Sequence, residues 1–187
     1  MGLRRRTVAL LAVAAVVAVL VAAVVSTLPR VNDARDDAEA RWRALRSPLA
    51  ARYDRVERLA GVVASKREGL TLAEEANAAV DRWSRASAHV ETGPKAANTA
   101  EGYLARLVGI IRSSSSLSAD PAVTEALQRL AGTLPDDEIA AFNRAVEAHD
   151  GARGRFPGRW FTSLLGADAL TTVDVPPAAR NIPVRPG

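Results

Sequence analysis

Few side chains in this sequence could do chemistry, and they are scattered. There are two histidines, His89 and His149, and no cysteine. Thiolate metal sites, a Cys nucleophile and disulfides are therefore excluded. The histidines lack the spacing that puts two imidazoles on one helix face for zinc, and no G-x-S-x-G elbow presents a serine. Both fall near the ends of helical patterns, where a surface or capping role is expected. Carboxylates cluster at Asp33/Asp36/Asp37 and at Asp136/Asp137/Glu138. Neither cluster has calcium-loop order. Each stands where a helix is expected to start, and there acidic groups interact favourably with the helix dipole. The serine run 113–116 reads as a flexible connector. No Gly-rich phosphate loop occurs. The expected catalytic, metal and cofactor sets are empty, and an enzyme is the reading with least support.

The cations point elsewhere. The formal net charge is +4, but Arg4, Arg5 and Arg6 supply three of those charges; the rest carries 22 basic against 21 acidic residues. A nucleic-acid binder needs a concentrated basic footprint, so no nucleic-acid partner is expected. Residues 7–28, "TVALLAVAAVVAVLVAAVVSTL", contain no charge. As a helix this run measures about 33 Å, against roughly 30 Å of bilayer hydrocarbon. With three arginines before it, the run reads as a single-pass anchor in the cytoplasmic membrane. Residues 1–6 are then cytoplasmic and the bundle lies outside, on the periplasmic or extracellular face. A cleaved signal peptide competes with this reading, although the apolar run exceeds the usual 7–15 residues. A new N-terminus near residue 24 or 27 would identify it. A buried core helix is a third reading.

Beyond this run the chain is patterned at helical spacing. Residues 33–67 place Ala38, Trp42, Leu45, Leu49, Val56, Leu59 and Val63 on one face, with Pro48 expected to kink or split the helix. Gly69 marks its end. Thr71 and Glu74 read as a capping box opening a second helix through Leu72, Ala76, Val80, Trp83, Ser87 and Val90. Gly93-Pro94 is a turn, and Lys95–Arg112 form a third helix through Ala100, Leu104, Leu107, Val108 and Ile111. Asp120-Pro121 is an N-cap and N1 pair. It starts a fourth pattern through Val123, Leu127 and Leu130, with a break near Pro135 before Ile139, Phe142 and Val146. Trp42 and Trp83 lie on apolar stripes, so core packing is their expected role. Four amphipathic stripes can share one core. The expected fold is all-α: a transmembrane helix 7–28, an antiparallel four-helix bundle 31–153 with long helices, and a short C-terminal amphipathic helix within 154–170. The Pro-rich tail 171–187 reads as extended or disordered.

Three stretches, in order, resemble the LemA family. In "DDAEARWRALRSPLAARYDRVERLAGVV", Trp42, Leu49, Arg52, Asp54 and Leu59 match the family's first bundle helix at its spacing. "SADPAVTEALQRLAGT" is similar to the segment that opens the family's last long helix. In "FNRAVEAHDGARGRFPG", Phe142, Asn143, Val146, Phe156 and Pro157 hold positions of the family's Tyr-Asn … Tyr-Asn … Phe-Pro run. There are departures. Glu57 replaces a family proline, Pro48 and Pro135 are additions, His149-Asp150 stands for the second Tyr-Asn, and Gly166-Ala167 stands for a closing Gly-Phe. The resemblance implies a membrane-anchored bundle without catalytic residues. By analogy it also implies an envelope partner such as a membrane protease or a TPM-domain protein.

These readings converge on a scaffold or protein-interaction module at the cell envelope, compatible with homo-oligomerisation. The alternative is a lipid- or small-ligand-binding bundle with a cavity near Pro48 and Pro135, which the many alanines oppose by favouring close helix approach. In "RGRFPGRWFTSLLGAD", Trp160, Phe161, Leu164 and Leu165, flanked by Arg155 and Arg159, form an apolar patch. It either rests on the lipid bilayer as an interfacial helix or caps the open end of the bundle.

Overall fold

The computed structural model describes residues 2–154 and 169–182; within the first helix, the side chains of residues 2–13, 16, 20 and 23–27 are not among the described ones. Among the described residues the chain is all-α. The helices are α1 (Gly2–Ala64), α2 (Leu70–Ala86), α3 (Gly93–Ser113), α4 (Ser115–Ser118), α5 (Pro121–Leu130), α6 (Asp136–Gly154) and α7 (Pro177–Arg180). Among the described residues no helix is long and apolar enough to cross a membrane. Most side chains of the 7–28 run are not among them.

Helix α1 departs from expectation in two ways. It runs unbroken through Pro29 and Pro48, so Pro48 does not split it. A helical proline leaves the carbonyl four residues earlier without its amide partner. For Pro48 that carbonyl belongs to Ala44, an exposed residue, where water can satisfy it. Leu45 and Leu49 on the other face are fully buried and hold the turn in register. The second consequence is that Asp33, Asp36 and Asp37 sit in mid-helix rather than at a helix start.

The chain divides into two compact units. One comprises Met1–Ala38 with Ala145–Leu170, the other Glu39–Arg144 with Thr171–Gly187. In the larger unit, contacts between helices give each its direction. Trp42 Nε1 donates to Ser87 O at 2.8 Å, and Gly69 lies so close to Val63 that a Cβ there would overlap its side chain. Helix α2 therefore runs back along α1. Arg52 pairs with Glu101 and Glu68 accepts from Ser114 at 2.5 Å, so α3 follows α1's direction. Lys66 pairs with Asp120, and the Trp42 and Phe142 rings lie 5.3 Å apart, so α5 and the first turns of α6 run back again. The result is a helical bundle whose core includes Trp42, Tyr53, Leu59, Leu104, Leu107 and Phe142.

Local signals acted at some boundaries and not at others. Asp120 caps α5, accepting from Ala122 N at 2.9 Å and Val123 N at 3.3 Å, a contribution of about 1 kcal/mol. The break before α6 falls at residues 131–135, with Gly132 at φ +70°. Asp136, Asp137 and Glu138 occupy the first turn of α6. Thr71 does not open a capping box: α2 begins at Leu70, its N-cap is Gly69, and no side chain caps it. The tight approach of Gly69 to Val63 fixes that start instead. The serine run is not a flexible connector either. Ser114 accepts from Leu117 N and starts the single turn α4, which buries Leu117.

The smaller unit buries Val31, Ala38, Ala145, Val146 and His149. His149 was expected at the surface or at a cap, yet its side chain is fully buried. Burial lowers its pKa from the ordinary 6.5, outweighing the opposing influence of Asp150, while Arg153 and Arg35 lower it further. As pH falls below 6.5, the unfolded chain takes up a proton that the folded histidine refuses, so this group works against the fold in acid.

Candidate functional site

The polar centre of the larger unit is built around Arg52. The residue lies three positions after Leu49 and four before Val56, so the apolar face of α1 carries it inward. Its side chain is 1% exposed and that of Glu101 is fully buried. Glu101 reaches the same interior from α3, four positions after Ala97 and three before Leu104. The two meet as a two-pronged pair, Nε to Oε1 at 2.8 Å and Nη2 to Oε2 at 3.0 Å. Two further guanidinium N–H groups donate to Thr133 Oγ1 at 3.3 Å and to Ala179 O at 2.9 Å. One cation thus ties α1 to α3, to the α5–α6 connector and to α7. Such geometry is what a buried charge needs to offset its desolvation.

Tyr53, next along the chain, donates to Ala97 O at 3.4 Å and packs edge-on against Trp83 at 4.7 Å. Its pKa is raised well above 10, first by burial and then by the Glu101 carboxylate. It therefore stays a neutral hydroxyl. The geometry leaves Arg52, Glu101 and Tyr53 engaged in bonds that join elements.

Beside this centre the C-terminal segment is held in place. Residues 169–176 form no helix, and residues 171–182 belong to the larger unit. Val173 and Val175 are 2% and 5% exposed and Ala179 is fully buried. Asn143 donates to Val173 O at 2.9 Å and accepts from Val173 N at 2.8 Å. Asn98 donates to Thr172 O at 2.9 Å and accepts from Asp174 N at 2.8 Å. Arg112 donates to Asn181 O at 2.6 Å, and Arg180 pairs with Asp136.

Among the described residues, clefts open on the surface of the larger unit. One of about 370 Å³ is lined by Arg55, Arg58 and Arg129 together with Glu125 and apolar side chains. Another, of about 140 Å³, lies beside Trp42, Arg46 and His89. Neither is lined by Pro48 or Pro135, where the alternative ligand-binding reading would need a cavity. Among the described residues no group of three or more His, Cys, Asp or Glu could hold a metal ion.

The residues singled out from sequence are placed unevenly. Trp42, Leu49, Leu59 and Phe142 are buried core; Arg52 is the ion-pair centre, Asn143 grips the tail, and Asp54 is exposed. Phe156, Pro157, Arg159, Trp160, Phe161, Leu164 and Leu165 lie outside the described residues, as do the side chains of Arg4, Arg5 and Arg6. Glu101, Asn98, Thr133 and Arg112 were missed. Only Glu101 left a signal, a charge set into an apolar stripe.

No protein-family model matches this chain, and neither a curated protein nor a solved structure matches it.

Proposed function

We propose that this protein is a membrane-anchored, extracytoplasmic scaffold or protein-interaction module of the cell envelope, resembling the LemA family and acting without catalysis. On this reading α1 supplies both anchor and first bundle helix. The observation that carries the reading is that α1 continues without interruption from Gly2 to Ala64, joining the charge-free run 7–28 to the stripe that builds the core. The directions of α1, α2, α3 and α5–α6 support an antiparallel four-helix bundle. Arg52 and Asn143, both at positions of the family resemblance, hold the bundle and the chain's end together, which supports a structural meaning for those positions. A lipid bilayer is then one partner and an envelope protein the other.

The test is in-cell cross-linking followed by capture of the full chain from carbonate-washed membranes. Retention in the membrane pellet with one recurrent envelope protein is the expected result. Release by carbonate, or recovery of the chain alone under several mild detergents, overturns it.

A further inference from the structure

The groove that holds residues 171–182 grips main chain. In an extended strand, the N–H and C=O of one residue face one edge. The C=O of the residue before it and the N–H of the residue after it face the other. Asn143 takes both main-chain groups of Val173. Asn98 takes the C=O of Thr172 and the N–H of Asp174. Two side-chain amides, one from α3 and one from α6, thus stand where the neighbouring strands of a sheet would stand. The strand's own period of two turns Val173 and Val175 inward and leaves Thr172 and Asp174 more exposed. Farther along, Arg52 and Arg112 again bind main-chain carbonyls, those of Ala179 and Asn181.

Main-chain groups are common to all peptides, so a grip of this kind constrains shape more than sequence. Strand-addition sites work this way, with affinity from backbone bonds and selectivity from pockets for alternate side chains. We propose that this groove is a docking site for an extended segment of a partner protein, with β-branched residues at alternate positions and proline after the second, and that the chain's own end is its resident occupant. The bound tail itself displays the chemistry that fits, V-D-V-P at residues 173–176. A partner must displace this tail, so its apparent affinity is set by how often the groove is open. The inference rests on the reading of the bundle as an interaction module and is independent of the anchor.

The test uses the full chain in mild detergent, with a site-specific protease sequence replacing residues 163–168 and cut after folding. A fluorescent peptide of residues 171–182 is then followed by anisotropy. It should exchange into the cut protein, and a peptide with Thr172 and Asp174 both changed to alanine should bind within about three-fold of it. Methylating the Val173 nitrogen should weaken binding about ten-fold or more, as should Asn98→Leu with Asn143→Leu in the protein. No exchange into a cut chain that keeps its helicity overturns the proposal, as does equal binding of the N-methylated peptide. If cutting abolishes helicity, the uncut Val173→Asp/Val175→Asp chain takes its place with the same two criteria. Dimers of the uncut wild-type chain that free peptide dissociates would put a second copy's tail in the groove and overturn the partner reading. Peptide exchange reports only on the groove, so its failure leaves the membrane capture result standing.

Discussion

Arg52 and Glu101 form a buried ion pair whose two members fail differently when left alone. A guanidinium does not shed its proton in a protein, whereas a buried carboxylate can be neutralised by taking one up. Glu101→Leu should therefore cost more than Arg52→Met, each in the range of about 3–5 kcal/mol at neutral pH. The double substitution removes both charges and should recover more than half of the larger single loss. Urea unfolding of the four proteins followed by circular dichroism gives the cycle. Additive single losses would mean that the two side chains are not coupled. Sequence alone did not predict this role. Arg52 bonds to groups 49, 81 and 127 positions away, and no local pattern encodes separations of that kind. Asn143 was singled out by resemblance, but its role required the position of Val173, 30 residues on.

At the scale of elements, most helices were legible because each is written in a local period. The stripe from Trp42 to Val63 and the stripe from Ala100 to Ile111 are both buried as read. Errors came where a local rule competed with tertiary contact. Pro48 is expected to kink or split a helix, yet α1 runs on through it, with Leu45 and Leu49 anchoring the same turn in the core. The tail lacks a period and is rich in proline, so composition could not reveal that Asn98 and Asn143 complete its backbone bonds. The unbroken course of α1 has a measurable consequence. Proline in a helix interior is about 3 kcal/mol worse than alanine. Pro48→Ala should restore the bond to the Ala44 carbonyl and stabilise the protein by about 1–3 kcal/mol, read as a raised thermal midpoint. An unchanged or lowered midpoint would mean that the bundle depends on proline at this position.

For the molecule as a whole, the proposed topology makes the arrangement of charge matter more than its total. Arg4, Arg5 and Arg6 precede the apolar run, and Arg30, Arg35, Arg41 and Arg43 come after it. Arginine and lysine near the ends of a span set which end stays in the cytoplasm, and acidic residues count for little. The three leading arginines lie compactly against the run, with no acidic residue among them. The four trailing ones are spread over 14 positions. On the proposed topology the leading cluster prevails. Replacing Arg4, Arg5 and Arg6 with serine leaves only the trailing arginines, and these should pull the bundle to the cytoplasmic side in a large share of molecules. Protease added to spheroplasts should digest residues 31–182 of the wild-type chain and spare much of the triple variant. Adding arginines after Met1 in that variant should restore digestion. If all three chains are equally accessible while remaining in the membrane, orientation is set by translocation of the folded region rather than by the leading charge. If all three are released in soluble form, the 7–28 run is not an anchor.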